Sequence, residues 1–275
     1  MIRFFKDFLK RIIYPLIGMS VANQRIDIYK TIIVNFRLYG FKGIRIVPIF
    51  IYKNTQLYNL GKIIFQCPLK RGILTIGHLD IKSQGITKIN NKGAIYIKNY
   101  VEIGGASIID NVGEIHLNGY NRISDGCQLL IRNKLIVGEQ TDLGFHSVVM
   151  DSDDHFTINI ETKEINNNTS PIKIGYGCWI GCNTFIKKGA ILPDYTIVAS
   201  ANTLIAKDYS DIPPYSILGG IPGKVINTLQ TRRIHVQEIE KELKIFFKKH
   251  PEKKLYQYDL NTDIDKICTQ TNGNF

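Results

Sequence analysis

From Ile174 onward a branched aliphatic residue returns every six positions: Ile174, Ile180, Ile186, Leu192, Val198 and Leu204. Gly175, Gly181, Lys187, Pro193, Ala199 and Ile205 follow them. The same period runs earlier through Ile97, Ile103, Ile109 and Ile115, slips by two residues before Ile123 and Leu129, and slips again before Val137, Leu143 and Val149. Weaker echoes begin near Ile73 and Ile76. A six-residue period fits neither an amphipathic helix, which repeats every 3.6 residues, nor a meander of hairpins. It fits a chain that makes a short strand, turns and repeats, with one aliphatic side chain per strand pointing to a shared interior. Three such strands close a coil, and stacked coils bury a continuous column of Ile, Leu and Val. The turn positions carry Gly, Asn, Asp and Lys, residues that suit tight turns and unusual backbone angles. The spacing therefore predicts an all-β chain, a parallel β-helix running from about 73 to 208. The period alone does not give its hand.

Composition narrows the class. The chain has 275 residues, 44% hydrophobic and 21% charged, which is the balance of a folded domain with a sizeable core. No uninterrupted apolar run reaches the length of a membrane span. Five cysteines without paired spacing suit a reducing compartment. Cys178 and Cys182 stand four apart, but no second pair of Cys or His lies at zinc-site distance, so no metal is expected.

The net charge of +11 resides entirely in residues 1–72, where 13 Lys and Arg face only Asp7 and Asp27; the remainder is neutral. Nucleic-acid binding is thus not implied by the overall basicity. A basic stretch carrying Phe4, Phe5, Phe8, Leu9, Ile12 and Ile13 suits an anionic membrane leaflet or a phosphate-bearing substrate. Its plain alternative is a solvated basic helix. The start also has the outline of a signal peptide ending at Ser20-Val21-Ala22, against which stand Asp7 in the basic part and Pro15 and Gly18 in the apolar part.

Three regions follow: a basic helical or extended region over 1–72, the β-helix with its closing segment over 73–226, and a C-terminal helix and tail over 227–275. The off-period, Asn-rich stretch 155–171 is a loop inserted in the column, and long loops on rigid scaffolds tend to carry function. Pro213, Pro214 and Pro222 end the column. Leu229, Ile234, Val236, Ile239, Leu243 and Phe246 have helical spacing across 228–249, and the polar 256–275 reads as a loosely held tail.

The stretch 171–226, with Trp179-Ile180-Gly181, Lys207-Asp208 and Pro222-Gly223-Lys224, resembles the bacterial hexapeptide-repeat acyltransferases, closest to the sugar O-acetyltransferases of capsule and O-antigen. Departures from the family pattern are Ser200-Ala201-Asn202-Thr203 in place of Gly-Ala-Gly-Ser, Ala206 in place of Thr, and Gly223 in place of Ala. The resemblance implies a left-handed β-helix, a homotrimer, and acetyl-CoA in the groove between subunits. It further implies that Trp179, Gly181, Cys182, Ala201, Ala206, Lys207 and Lys224 form the donor site, with the two lysines at the CoA phosphates.

Acetyl transfer to a hydroxyl needs a base, and histidine suits neutral pH. His155 stands where the chain leaves the column, close to Asp151, Asp153 and Asp154, and matches the position of the family's catalytic histidine. Asp153 or Asp151 would orient the imidazole and stabilise its cation. His146 reads as a solvent-facing turn residue, and His78, His116, His235 and His250 have no chemical context in the sequence. The expected reaction is direct transfer to a carbohydrate hydroxyl, with the oxyanion held by a backbone N–H such as that of Cys182. No cysteine has a neighbouring histidine in the chain, which disfavours an acyl-enzyme. Use of acetyl-CoA implies a cytoplasmic protein, in contact with the inner membrane face if the basic region binds it. The competing readings are N-acetylation of an amino sugar, a donor carried on acyl carrier protein, and a non-catalytic β-helix scaffold.

Overall fold

The structure is a computed structural model that describes residues 26–78, 85–199, 202–228 and 230–270. Residues 1–25, with the basic aromatic stretch and the signal-like outline, lie outside the described residues, as do Ala201 and Leu229.

Three sheets of nine, seven and six strands form the faces of a prism. Successive strands visit the faces in turn as far as Leu204–Ile205, after which the last two strands both join the first face; among the described strands every pairing is parallel except that of Ile217–Gly219 with Lys224–Asn227. This is the expected all-β left-handed parallel β-helix. Its core is the column foreseen from the period. On the first face Ile103, Ile123, Leu143, Ile180, Val198 and Leu218 lie in register, each at most 2% exposed. On the second face Ile89, Ile109, Leu129, Val149, Ile186 and Ile205 do the same. The inward residue near the end is therefore Ile205 and not Leu204, a one-residue slip after the turn at 202–203. The two-residue slips have a simple cause: third-face strands such as Glu114–Leu117 and Lys134–Val137 each send two side chains inward, Ile115 with Leu117 and Leu135 with Val137.

The corners are left-handed backbone positions repeated coil by coil. Tyr120, Gln140, Gly177, Tyr195 and Tyr215 share one edge with φ of 48, 59, 60, 59 and 65°. Ala106, Gly126, His146, Asn183 and Asn202 share the next. Only two of these ten are glycine, so the stack holds L-residues in a conformation that costs each roughly 1 kcal/mol.

The coil stack starts earlier than the period suggested. Strand Ile49–Ile51 pairs with Leu74–His78, so the first full coil lies within the region read as a separate basic segment. Helix α1, Ile28–Ile46, covers its open end, with Asp27 as N-cap. Asn35 accepts from Ile49 N at 3.0 Å and donates to Ile49 O at 2.7 Å, and Thr31 Oγ1 accepts from Ile51 N at 3.1 Å. Two helix side chains thus stand in for the missing neighbour of an edge strand. The chain reverses at Gly40 (φ 58°), which brings Gly43 onto Asn35; a Cβ at Gly43 would sit 2.1 Å from Asn35 O. Gly43→Ala is therefore expected to cost about 1–3 kcal/mol in urea unfolding by displacing Asn35 from the edge.

Toward the C-terminus the expected helix 228–249 is shorter. Helix α2 spans Gln237–Lys249, with Glu238 and Glu240 in its first turn and Lys248 and Lys249 in its last, where they suit the helix dipole. Residues 230–236 form no regular element, and Arg232, Arg233 and His235 tie them to the column. The tail is also better fixed than its polarity implied. Helix α3, Ile264–Cys268, buries Ile267 and Cys268, and Gln270 exchanges two hydrogen bonds with buried Gln140, at 2.5 and 3.1 Å. Among the described residues no helix is long and apolar enough to cross a membrane.

Candidate active site

The inserted loop leaves the second face after Val148–Met150 and returns to the third at Ile172–Ile174. Bridges between Ser152 and Thr169 and between Ile158 and Ile165 draw it into a hairpin, so it begins a few residues before 155. Asp151 is fully buried at its base, and its carboxylate accepts from three consecutive amides, Arg132 N at 2.7 Å, Asn133 N at 2.8 Å and Lys134 N at 2.7 Å. Asp153 turns outward and pairs with Lys188 Nζ at 2.6 Å and Lys187 Nζ at 3.3 Å. The hydrogen bond from Lys188, supported by Lys187, holds its carboxyl below the usual carboxylate range. Asp154 meets Arg132 Nε at 3.2 Å.

His155 is exposed on this platform, and among the described residues no hydrogen bond or ion pair holds its ring. The imidazole is thus open to solvent. It does not bring Asp151 or Asp153 onto it, because one carboxylate is committed to backbone and the other to lysines. His146 occupies an exposed left-handed corner beside Gly126, the turn position expected for it.

Trp179 does not sit in a turn. It opens the first-face strand Trp179–Ile180 with its side chain outward and 39% exposed. Gly181 is buried and its N–H donates to Val198 O at 2.8 Å, while Cys182 is half-buried at the following corner. Ala206 and Lys207 are exposed where the column ends, with Lys207 Nζ 5.1 Å above the Tyr209 ring. Lys224 is exposed on the antiparallel last strand. The structure gathers Trp179, Gly181 and Cys182 on one strand and its corner. It leaves Lys207 and Lys224 nearer the C-terminal end of the stack.

Sequence reasoning missed the group beside Trp179. Asp142, its in-register neighbour, is buried and faces Arg233 Nε at 3.3 Å and His235 Nδ1 at 3.5 Å. Burial would raise the Asp142 carboxyl. The His235 hydrogen bond and the charges of Arg233, His235 and Arg122 overcome this and hold it below the usual range. The Arg233 guanidinium lies 5.3 Å over the Trp179 ring. An acidic residue facing outward from an aliphatic strand was the one available signal, since no period links residues 232–235 to the column.

Burial pushes the Cys127 and Cys178 thiols up to about 12, so neither supplies a thiolate at neutral pH. Among the described residues no cluster of His, Cys, Asp and Glu could hold a metal ion.

The solved structure of the polySia-specific acetyltransferase NeuO superposes with a TM-score of 0.50 at 18% identity, over 76% of this chain and 84% of that one. This chain has the NeuO fold. The polysialic acid O-acetyltransferase OatWY is also similar, with a TM-score of 0.44, 17% identity and coverage of 78% and 96%. So is a hexapeptide-repeat acetyltransferase from Vibrio cholerae O1 biovar eltor, complexed with acetyl coenzyme A, with a TM-score of 0.35, 21% identity and coverage of 57% and 73%. No family model and no curated protein matches the chain. At 18% identity the likeness to NeuO is one of backbone architecture.

Proposed function

We propose that the chain is an acetyl-CoA-dependent O-acetyltransferase acting on a sugar hydroxyl of a bacterial surface polysaccharide or its lipid-linked precursor. The observation that carries this is an exposed His155, without a partner among the described residues, at the foot of an inserted loop on a hexapeptide-repeat column whose exposed tryptophan falls in a Trp-Ile-Gly segment. The fold shared with an acetyltransferase specific for polySia supports it. His155 takes the proton of the acceptor hydroxyl as that oxygen attacks the thioester carbonyl carbon. The C–S bond then breaks, and the imidazolium returns the proton to the leaving CoA thiolate. A backbone N–H would hold the tetrahedral oxyanion.

The geometry favours more than one copy. His155 stands at the edge between the second and third faces, and Trp179 lies on the first face, opposite that edge. One prism does not bring them together, whereas prisms packed side by side, as in the homotrimer implied by the family resemblance, set the loop of one against the first face of the next. Phe156, Ile158, Ile160 and Ile165 are all exposed on that loop and suit such a contact. The protein then works in the cytoplasm, where acetyl-CoA is available, with the basic N-terminal residues at the inner membrane face.

The test is thiol release from acetyl-CoA in the presence of oligosaccharide acceptors, followed by alkaline treatment of the product. An alkali-labile acetyl group identifies an ester and supports O-transfer; an alkali-stable one identifies an amide and moves the assignment to N-transfer. Replacing Lys207 and Lys224 together with alanine should weaken acetyl-CoA binding about tenfold. It should also abolish the preference over a CoA that lacks the 3′-phosphate, read by calorimetry.

A further inference from the structure

The C-terminal strap, residues 230–270, crosses the first face beside Trp179, braced by contacts within itself and anchored to the column through Tyr195, Asp142 and Gln140. Arg232 meets Asp265 Oδ1 at 2.6 Å and Thr269 Oγ1 at 3.1 Å, and its guanidinium lies 4.6 Å over the Tyr195 ring. The His235 amide donates to Cys268 O at 3.0 Å, and Gln270 is locked to Gln140. These contacts deliver one side chain to the exposed tryptophan. Arg233 forms ion pairs with the buried Asp142 carboxylate at 3.3 Å and with Glu240 of α2 at 3.7 Å, and its guanidinium carbon lies 5.3 Å over the indole. Asp142 is itself fixed by His235, whose side chain is 5% exposed.

We propose that Arg233 is a positioning residue: held by Asp142, it fixes the Trp179 indole, so that the C-terminal strap forms part of the donor site. This rests on the reading that Trp179 lines the donor channel. An exposed indole on a two-residue strand has free rotation about its side-chain bonds, and a guanidinium over the ring restricts it through cation–π attraction while Asp142 supplies a rigid mount. Donor binding to a preset ring avoids the cost of ordering it.

Trp179 is the chain's single tryptophan, so its fluorescence reads this ring alone. In full-length protein, Arg233→Gln should raise acrylamide quenching of the indole about two- to threefold by freeing it. It should raise KM for acetyl-CoA about 3- to 30-fold, with kcat little changed. Arg233→Lys should recover part of both effects, and Asp142→Asn should move both in the direction of Arg233→Gln. Far-UV circular dichroism checks that each variant keeps the β-helix, and His155→Ala should leave the quenching as in the parent. Quenching unchanged in Arg233→Gln would overturn the proposal, since the ring would then be held by something else. Raised quenching with unchanged acetyl-CoA affinity, measured by calorimetry, would overturn the role in donor binding and place the fault in the location of Trp179, not in its contact with Arg233.

Discussion

Replacing His155 with alanine is expected to lower the rate of acetyl transfer by about 10²–10⁴-fold while acetyl-CoA still binds. An alcohol attacks a thioester poorly until its proton is removed, and His155 is the exposed histidine at the base of the inserted loop. Among the described residues nothing leans on its ring, so stability should not change and the loss should fall on kcat. His146, exposed at a corner beside Gly126, serves as the control, and its replacement should leave the rate within a few-fold. The readout is thiol release at saturating acetyl-CoA, with unfolding midpoints measured alongside. Full turnover in the His155 variant would remove it as the base. His235 would then be the next histidine to test, since it already meets a carboxylate in Asp142.

The second large effect is on folding. Asp151→Ala should destabilise the protein by about 3–5 kcal/mol, because it strips one buried carboxylate from three successive amides and leaves those N–H groups unmet. That corresponds to a fall in Tm of roughly 10 °C. Asp153→Ala removes only partly exposed pairs with Lys187 and Lys188 and should cost less than about 1 kcal/mol. A thermal melt of both variants decides the matter. Equal and small shifts would show that the turn 132–134 does not need the Asp151 carboxylate.

These two aspartates show where the sequence was legible and where it was not. The aliphatic period announced the column, since an inward side chain every six residues leaves few other ways to bury it. The slips at Ile115–Leu117 and Leu135–Val137 were visible only as lost phase, because a strand that turns two side chains inward still looks aliphatic. The first coil, from Ile49, escaped because Thr55 and Asn59 mix with Ile there and no hexad forms. For the site, local spacing placed His155 at a departure from the column and Trp179 beside Gly181. It did not say which way each carboxylate points. Nearness in sequence set Asp151 and Asp153 beside His155, but Asp151 closes a turn of the preceding coil and Asp153 bends out to two lysines of the next. The Arg233–Asp142 pair was hidden for a different reason. It is a tertiary contact between a strap and a strand, and neither segment carries a pattern that refers to the other.

The account stands most directly on calorimetric titration of the purified protein with acetyl-CoA. It predicts saturable binding of about one molecule per chain, weakened when the 3′-phosphate is missing. Absence of binding would contradict a CoA-dependent transferase. It would leave either an acyl group delivered on a carrier protein or a β-helix that serves only as a scaffold.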